Sequence, residues 1–325
     1  MARAYNDGWI YLGAYFNQIT FRYQHDLVEI CAKINPAVVV STCHSGTASE
    51  WQLLRWAKRR GIKRVAWQCG YEYNPTVLKS LILRRFVPLF DFHLCYHSNA
   101  QDYAMTYGAG LDQTLVMHNT IDESKIVAGQ VSRARSELSE MWPSLDGKSI
   151  VLYVGAVLEE KRLDRVFAAL DAMGDDSIMF VLVGDGPYLS TLKERYKDRQ
   201  NWLAAGRVVE GVAAYFDAAD VFVLPGTCGL AINEAMAHRL PVISGYADGS
   251  ADDLVVDGIT GFRLQQNSAA ELADRLNDVL SDPERAAAMG QQGEQRIRGH
   301  LSFKSFIDRV VNVLVDQHVK ASQGV

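Results

Sequence analysis

No stretch of this sequence approaches the roughly 20 consecutive apolar residues that a membrane-spanning helix requires. Cysteine is sparse: Cys31, Cys43, Cys69, Cys95 and Cys228 are odd in number, widely scattered and form no CxxC pair. Neither a disulfide framework nor a zinc site is indicated, and reduced, mostly buried thiols are expected. The opening MARAYNDGWIYLG lacks the basic start, long apolar run and small-residue cleavage site of a signal peptide, so a cytoplasmic location is the expectation. Short-period repeats and low-complexity tracts are missing too. No metal-ligand cluster, no lysine identifiable as a pyridoxal anchor and no nucleic-acid recognition motif is found, so neither metal nor cofactor is expected and nucleic acid is a poor partner.

What is present reads as an ordinary two-domain globular chain. At 325 residues, with 48% hydrophobic and 22% charged positions, it is too long for one ordinary domain and suits two of roughly 150. The net charge of −5 is unevenly divided: residues 1–122 carry 12 Lys and Arg against 9 Asp and Glu, leaving 21 against 29 for the remainder. The basic half is clustered, since RWAKRRGIKR from Arg55 to Arg64 holds six cations and Lys79, Arg84 and Arg85 lie in the helix-like apolar run VLKSLILRRFVPLF. Such a mixture suits peripheral contact with an anionic membrane surface. It equally suits a solvated helix face followed by a core helix.

The most informative stretch is Val221 to Ser244, VFVLPGTCGLAINEAMAHRLPVIS, which reads as strand, turn, helix, strand. Ser149 to Gly155 (SIVLYVG) is a second buried strand, followed by a loop carrying Glu159, Glu160, Lys161 and Arg162. Phe180 to Pro187 (FVLVGDGP) is a third strand with a glycine turn. A glycine-bearing turn and helix start beyond a parallel strand is where open α/β sheets hold ligands. Glu234, about one turn into its helix, either accepts hydrogen bonds from ribose hydroxyls or simply complements the helix N-terminus.

Together these segments resemble the C-terminal domain of the retaining glycosyltransferases of family 4, the group 1 transferases with the GT-B fold. The strand with a lysine-bearing loop, GDGP, the G-V segment before an alanine-rich helix, AD-VFVLP, EAMA-x-x-x-P-V-I and DGITGF follow one another in order over about 170 residues. The run from Asp91 through Tyr96, Ser98 and Gly108 to VMHNTID, ending at Asn119 and Asp122, resembles the end of the family's N-terminal domain. The resemblance implies an α/β fold of two Rossmann-like doubly wound domains facing across a cleft. It places an acceptor-side domain at 1–125, a linker at 126–148, a donor domain at 149–300 and a helix at 301–325 packing back toward the first domain.

It also implies roles. Lys161 would neutralise the leaving diphosphate, a task the family shares with an arginine whose place is taken here by Ala156. Arg162 is the neighbour that could make up the charge or merely start a helix. Glu234 matches the second glutamate of the family's E-x7-E motif and would hold the ribose, while the first falls on Gly226. Gly184, Val209, Val212, Cys228, Gly229 and Leu230 complete the expected donor-binding set, the base lying along Val209 to Val212. Gly226 and Gly229 are explained equally well by turn chemistry.

His44, after the strand AVVVS, is the candidate for proton transfer or for polarising the acceptor, against a loop histidine of no such role; His118 reads as structural. Asp252 and Asp253 could bind sugar hydroxyls or cap a short helix. The family's opening strand with a glycine-rich loop is not found; WIYLGAYF could be a strand but carries no paired glycines.

The expected activity is transfer of a hexosyl group, with retention, from a nucleotide diphosphate sugar to a glycan or lipid-linked acceptor in surface polysaccharide assembly, at the cytoplasmic or inner membrane face. The competing expectation is an accessory subunit that binds nucleotide sugar without turnover.

Overall fold

A computed structural model describes residues 2–4, 9–12, 21–70, 75–227, 229–245 and 249–323. The chain divides into two compact units, residues 1–118 with 307–325, and residues 119–306.

The first unit opens with β1 (Ala2–Ala4), β2 (Trp9–Leu12) and β3 (Phe21–Gln24), paired antiparallel in the order β1-β2-β3. The expected strand in WIYLGAYF is thus β2, in a small sheet of its own and not in the parallel one; residues 13–20 lie outside the described residues. There follow α1 (Leu27–Ile34), β4 (Val38–Ser41), α2 (Ala48–Arg59), β5 (Lys63–Gln68), α3 (Val77–Phe86), β6 (Phe92–Cys95), α4 (Ser98–Thr106) and β7 (Thr114–Val116). The four strands β4-β5-β6-β7 are parallel and lie in chain order. Right-handed crossovers in a sheet that grows in one direction put α2, α3 and α4 on the same face. The core beneath them is divided: Val39, Leu53, Ala57 and Ile62 form one buried group, and Leu54, Ala66, Phe86 and Phe90 another.

The second unit contains α5 (Val131–Met141), β8 (Ser149–Val154), α6 (Asp164–Met173), β9 (Ile178–Val183), α7 (Leu189–Arg195), β10 (Trp202–Gly206), α8 (Val212–Ala218) and β11 (Val221–Leu224). It continues with α9 (Ala231–Ala237), β12 (Val242–Ser244), α10 (Ser250–Leu254), β13 (Gly261–Arg263), α11 (Ala269–Leu280), α12 (Pro283–Arg298) and α13 (Phe303–Gln323), whose residues from Ile307 belong to the first unit. All six strands are parallel, in the order β10-β9-β8-β11-β12-β13. Numbered within the unit, that is the 3-2-1-4-5-6 order of a doubly wound dinucleotide-type sheet.

The sequence gives its reason for this order. The runs IMFVLV of β9 and VFVL of β11 are buried at every position, as strands covered on both faces must be. α6 packs on α11, α8 on α5 and α9 on α12. One continuous core results, and it includes Ala134, Leu138 and Leu145 from the stretch read in sequence as linker.

Candidate active site

In a sheet of this order the connections from the two central strands leave toward opposite faces, opening a crevice beyond their carboxyl ends. Here those strands are β8 and β11. After β8 the chain turns through Gly155 and Ala156, whose carbonyl accepts from the Tyr153 hydroxyl at 2.7 Å. A 3₁₀ turn at Glu159–Lys161 and a left-handed Arg162 (φ 54°) then redirect it into α6. After β11 it turns through Pro225, Gly226 and Thr227.

The two corners are stitched together. The Thr227 amide donates to the Glu160 carbonyl at 3.2 Å, Lys161 Nζ donates to the Thr227 carbonyl at 2.7 Å, and Arg165 Nη1 donates to the Pro225 carbonyl at 3.0 Å. A Cβ on Gly226 would stand 2.2 Å from the Glu160 carbonyl oxygen and 2.5 Å from Lys161 Cα, so a residue with a side chain does not fit there. This close approach accounts for glycine where the resemblance puts a glutamate. Arg165, which the sequence reading did not single out, joins Lys161 and Arg162 in a cationic cluster. Its proton affinity is lowered first by burial and then by the charge of Arg162.

Glu234 lies in the first turn of α9 and is half-buried. Burial raises its carboxyl above the ordinary value, and His238 one turn later opposes the shift. The helix is anchored from beneath: His238 Nδ1 and Asp217 Oδ1 are 2.9 Å apart, the His238 ring stacks on Phe216, and the Asn233 amide donates to the Asn119 carbonyl at 3.3 Å. At its start, a Cβ on Gly229 would meet open space and Leu230 is exposed; Cys228 lies outside the described residues.

A cavity of about 450 Å³ opens on the same edge of the sheet, lined by the corners after β8, β9 and β10, with Ala156, Gly184, Asp185 and Arg207 among its walls. The corners interlock closely: a Cβ on Gly184 would sit 1.9 Å from the Gly155 carbonyl oxygen, one on Gly186 would sit 2.4 Å from that of Val157, and the Val157 amide donates to the Asp185 carbonyl at 2.9 Å. Of the expected donor residues, Gly184 lines this cavity, while Lys161, Arg162 and Glu234 do not. Val209 is exposed just beyond lining residue Val208, and Val212 begins α8. Arg207 and Asp185 were not foreseen; each sits one or two residues beyond a strand's carboxyl end, a signal open to sequence reading only where the strand is recognised.

Elsewhere, Asp252 lies in the first turn of α10 with Asp253 and pairs with Arg263 at 3.0 Å, so this carboxylate is engaged within the protein. His44 belongs to the first unit, on the exposed corner after β4. That corner is organised by Glu50, buried in α2, which accepts from the Ser41 hydroxyl and from the Cys43 and His44 amides at 2.9 and 3.0 Å. Burial raises the Glu50 carboxyl although all three hydrogen bonds oppose it. Among the described residues no group of three or more His, Cys, Asp or Glu side chains could hold a metal ion. None of their helices is long and apolar enough to cross a membrane.

Comparison with known proteins bears on the family and the fold. Residues 134–296 match the family model described as "Glycosyl transferases group 1". The chain is 28% identical over 153 residues to the sulfoquinovosyl transferase SQD2 of Arabidopsis thaliana, covering 46% of this chain and 30% of that protein. It is 29% identical over 176 residues to a GDP-mannose-dependent alpha-(1-6)-phosphatidylinositol monomannoside mannosyltransferase of Mycolicibacterium smegmatis, covering 49% of this chain and 46% of the relative. The chain therefore spans less than half the length of either relative. Among solved structures, that of HepE (Alr3699) from Anabaena in complex with UDP superposes with a TM-score of 0.74 at 17% identity, over 90% of this chain and 81% of that one. The two Rossmann-like units are those of the GT-B fold. With half of its length matched by the family model, this chain belongs to the group 1 glycosyl transferases.

Proposed function

We propose that the chain transfers a hexosyl group from a nucleotide diphosphate sugar to a glycan or lipid-linked acceptor, with retention of configuration, as a family 4 enzyme. The observation that carries this reading is the stitched pair of corners at the switch point, where the Lys161 ammonium stands at the end of the two central strands. In the proposed complex the nucleoside occupies the cavity at Gly184, with its base toward Val209 and Val212. Lys161, with Arg162 near it, meets the diphosphate. The Glu234 carboxylate accepts from the ribose hydroxyls, and Gly229 and Leu230 lie against the phosphate or sugar.

Cations held in place before the reaction stabilise charge as it develops on the leaving diphosphate, without reorganising. The departing phosphate can take the acceptor proton on the same face, so no protein nucleophile, metal or cofactor is required. His44 would serve the acceptor. The relative from Mycolicibacterium uses GDP-mannose and the Anabaena structure holds UDP, which supports a nucleotide donor and leaves both bases to be tried.

The proposed setting is surface polysaccharide assembly at the cytoplasmic face of a membrane. Val77, Leu78 and Leu81 of α3 are exposed alongside Arg84 and Arg85, a composition suited to an anionic lipid surface. A second reading, an accessory subunit that binds nucleotide sugar without turnover, draws on Ala156 and Gly226, where two charged groups of the family pattern are missing.

The test is a panel of UDP- and GDP-sugars assayed for donor hydrolysis and for transfer to glycan and lipid-linked acceptors. Turnover of one donor supports the enzyme. Tight binding with no turnover on any acceptor supports the accessory role, and binding of none defeats both.

A further inference from the structure

We infer that Arg165 is the second cation of the donor diphosphate site, meeting the phosphates together with Lys161 from the opposite side of the Gly226 turn. The inference rests on the nucleotide-sugar reading above and adds to it a residue outside the recognised motifs.

Arg165 projects from the first turn of α6 across the switch point to the carbonyl of Pro225, the residue that follows β11, while Lys161 reaches the carbonyl of Thr227 two residues further on. The two cations therefore bracket one tight turn at the mouth of the crevice. Its only side-chain-free position, Gly226, lies against the Lys161 backbone.

The charge of Arg165 is not accounted for within the protein. The adjacent carboxylate, Asp164, is turned to α7 and committed to Arg195, to the Tyr188 hydroxyl at 2.7 Å and to the Tyr196 hydroxyl at 2.9 Å. Among the described residues neither Arg162 nor Arg165 forms an ion pair, and the bond to Pro225 uses one of the five N–H donors of the guanidinium. Holding a carbonyl needs only a neutral donor. A half-buried guanidinium beside two further cations, its protonated form disfavoured by both burial and Arg162, carries a cost that an anion between them would relieve. Arginine also suits the ligand, since its planar fork matches two phosphate oxygens at once.

Ala156 supplies an independent check. Its position is a wall of the 450 Å³ cavity, so space exists there for a longer side chain. If the site requires two cations and not Arg165 as such, an arginine at 156 can replace the one lost at 165.

The experiment titrates UDP, GDP, uridine and guanosine into the full chain, as wild type, R165Q, R165K, A156R and the A156R/R165Q double variant, with a melting curve for each. The wild type is expected to bind at least one diphosphate. R165Q is expected to lose about tenfold or more in diphosphate affinity, with nucleoside affinity changed by less than about twofold. The double variant is expected to recover most of the loss.

Equal losses for nucleoside and diphosphate in R165Q, or no loss, would overturn the assignment and leave Arg165 as a latch on the Pro225 carbonyl. So would a double variant that folds and binds the nucleosides as the wild type does but recovers none of the diphosphate affinity. Should R165Q not fold, R165K decides: it keeps the charge and a donor for Pro225 but not the fork, so any loss should fall on the diphosphates alone, and an equal loss for nucleoside and diphosphate contradicts the assignment. A wild type that binds neither diphosphate removes the underlying reading itself, a different outcome from wild-type binding that R165Q leaves intact.

Discussion

The two parallel sheets of this protein are built to different standards. In the second unit Val151, Leu152 and Tyr153 of β8 are fully buried, and the apolar side chains beneath all six strands merge into one core. In the first unit Val40 of β4 is 46% exposed, the described core is broken into small groups, and polar side chains are enclosed among them. These include Glu50 under the His44 corner, Arg64 bound to Asp91 through two contacts at 2.8 and 2.6 Å, and His93 with Gln68 at 3.2 Å. A continuous apolar core gives a stiff platform, and the second unit uses it to hold charged corners within hydrogen-bonding reach of one another. The first unit relies more on buried polar partners, which are specific in geometry but sensitive to protonation, whereas in the second the buried His238–Asp217 pair sits against a continuous apolar core.

That contrast can be broken most forcefully at Gly226. Gly226→Glu, which restores the family's glutamate, would drive a side chain into the Glu160–Lys161 backbone. We expect a loss of at least about 3 kcal/mol in urea unfolding, with no gain in donor binding. A variant as stable as wild type would mean that the corners are not rigidly stitched.

Acid should then discriminate between the units. Burial depresses the His93 imidazole from 6.5 to about 4, against the raising effect of a hydrogen bond with the Val87 backbone. The folded state therefore binds this proton less readily than the unfolded chain. Its contribution is complete above 6.5 and is lost as pH falls toward 4, by on the order of 3 kcal/mol. Glu50 and Glu234 have the opposite sign: their raised carboxyls favour the folded state at low pH and lose that contribution as pH rises through the raised values. Hydrogen exchange between pH 7 and 4.5 should show the first unit loosening before the second, and His93→Gln should flatten the difference.

At the proposed donor site, Glu234→Ala should weaken nucleotide binding by more than about tenfold without affecting free phosphate. Binding to wild type should fade on acidification at a pH above that of an ordinary glutamate, since protonation removes the acceptor. Unchanged nucleotide affinity in the variant would reduce Glu234 to a helix-start residue. The smallest effect belongs to His44→Ala. Exposed on the first unit's corner, it should change nucleotide affinity by less than about twofold, while transfer to acceptor falls if the histidine serves that step.

How far the sequence could be read follows the same division. Strands buried on both faces announce themselves as unbroken apolar runs, so SIVLYV and VFVL were legible. β10 was not: three of the five residues of WLAAG are alanine or glycine, it is partly exposed along its length and it has no β-branched residue, so its place is fixed by pairing with β9 and not by its own propensity. Arg207, just beyond it, was missed for that reason. The antiparallel ladder at the start was hidden because strands of three and four residues are too short to show a clear alternation. Arg165 was missed because the left-handed Arg162 breaks helical register between it and Lys161, so their spacing of four does not by itself put them together. Lys161 and Glu234 could be singled out as candidates because each sits at a fixed offset from a readable strand. What no pattern in one sequence could supply was the contact across the crevice that ties Lys161 to Thr227 and excludes a side chain at 226.

In the proposed complex the switch-point edge of the second unit binds a nucleoside diphosphate through Lys161. Calorimetric titration of UDP and of GDP into the full chain, wild type and Lys161→Ala, tests it most directly. Saturable one-to-one binding of at least one of the two is expected, weakened more than about tenfold by the substitution at unchanged melting temperature. Wild-type affinity in Lys161→Ala, or no binding of either nucleotide to the wild type, would contradict it.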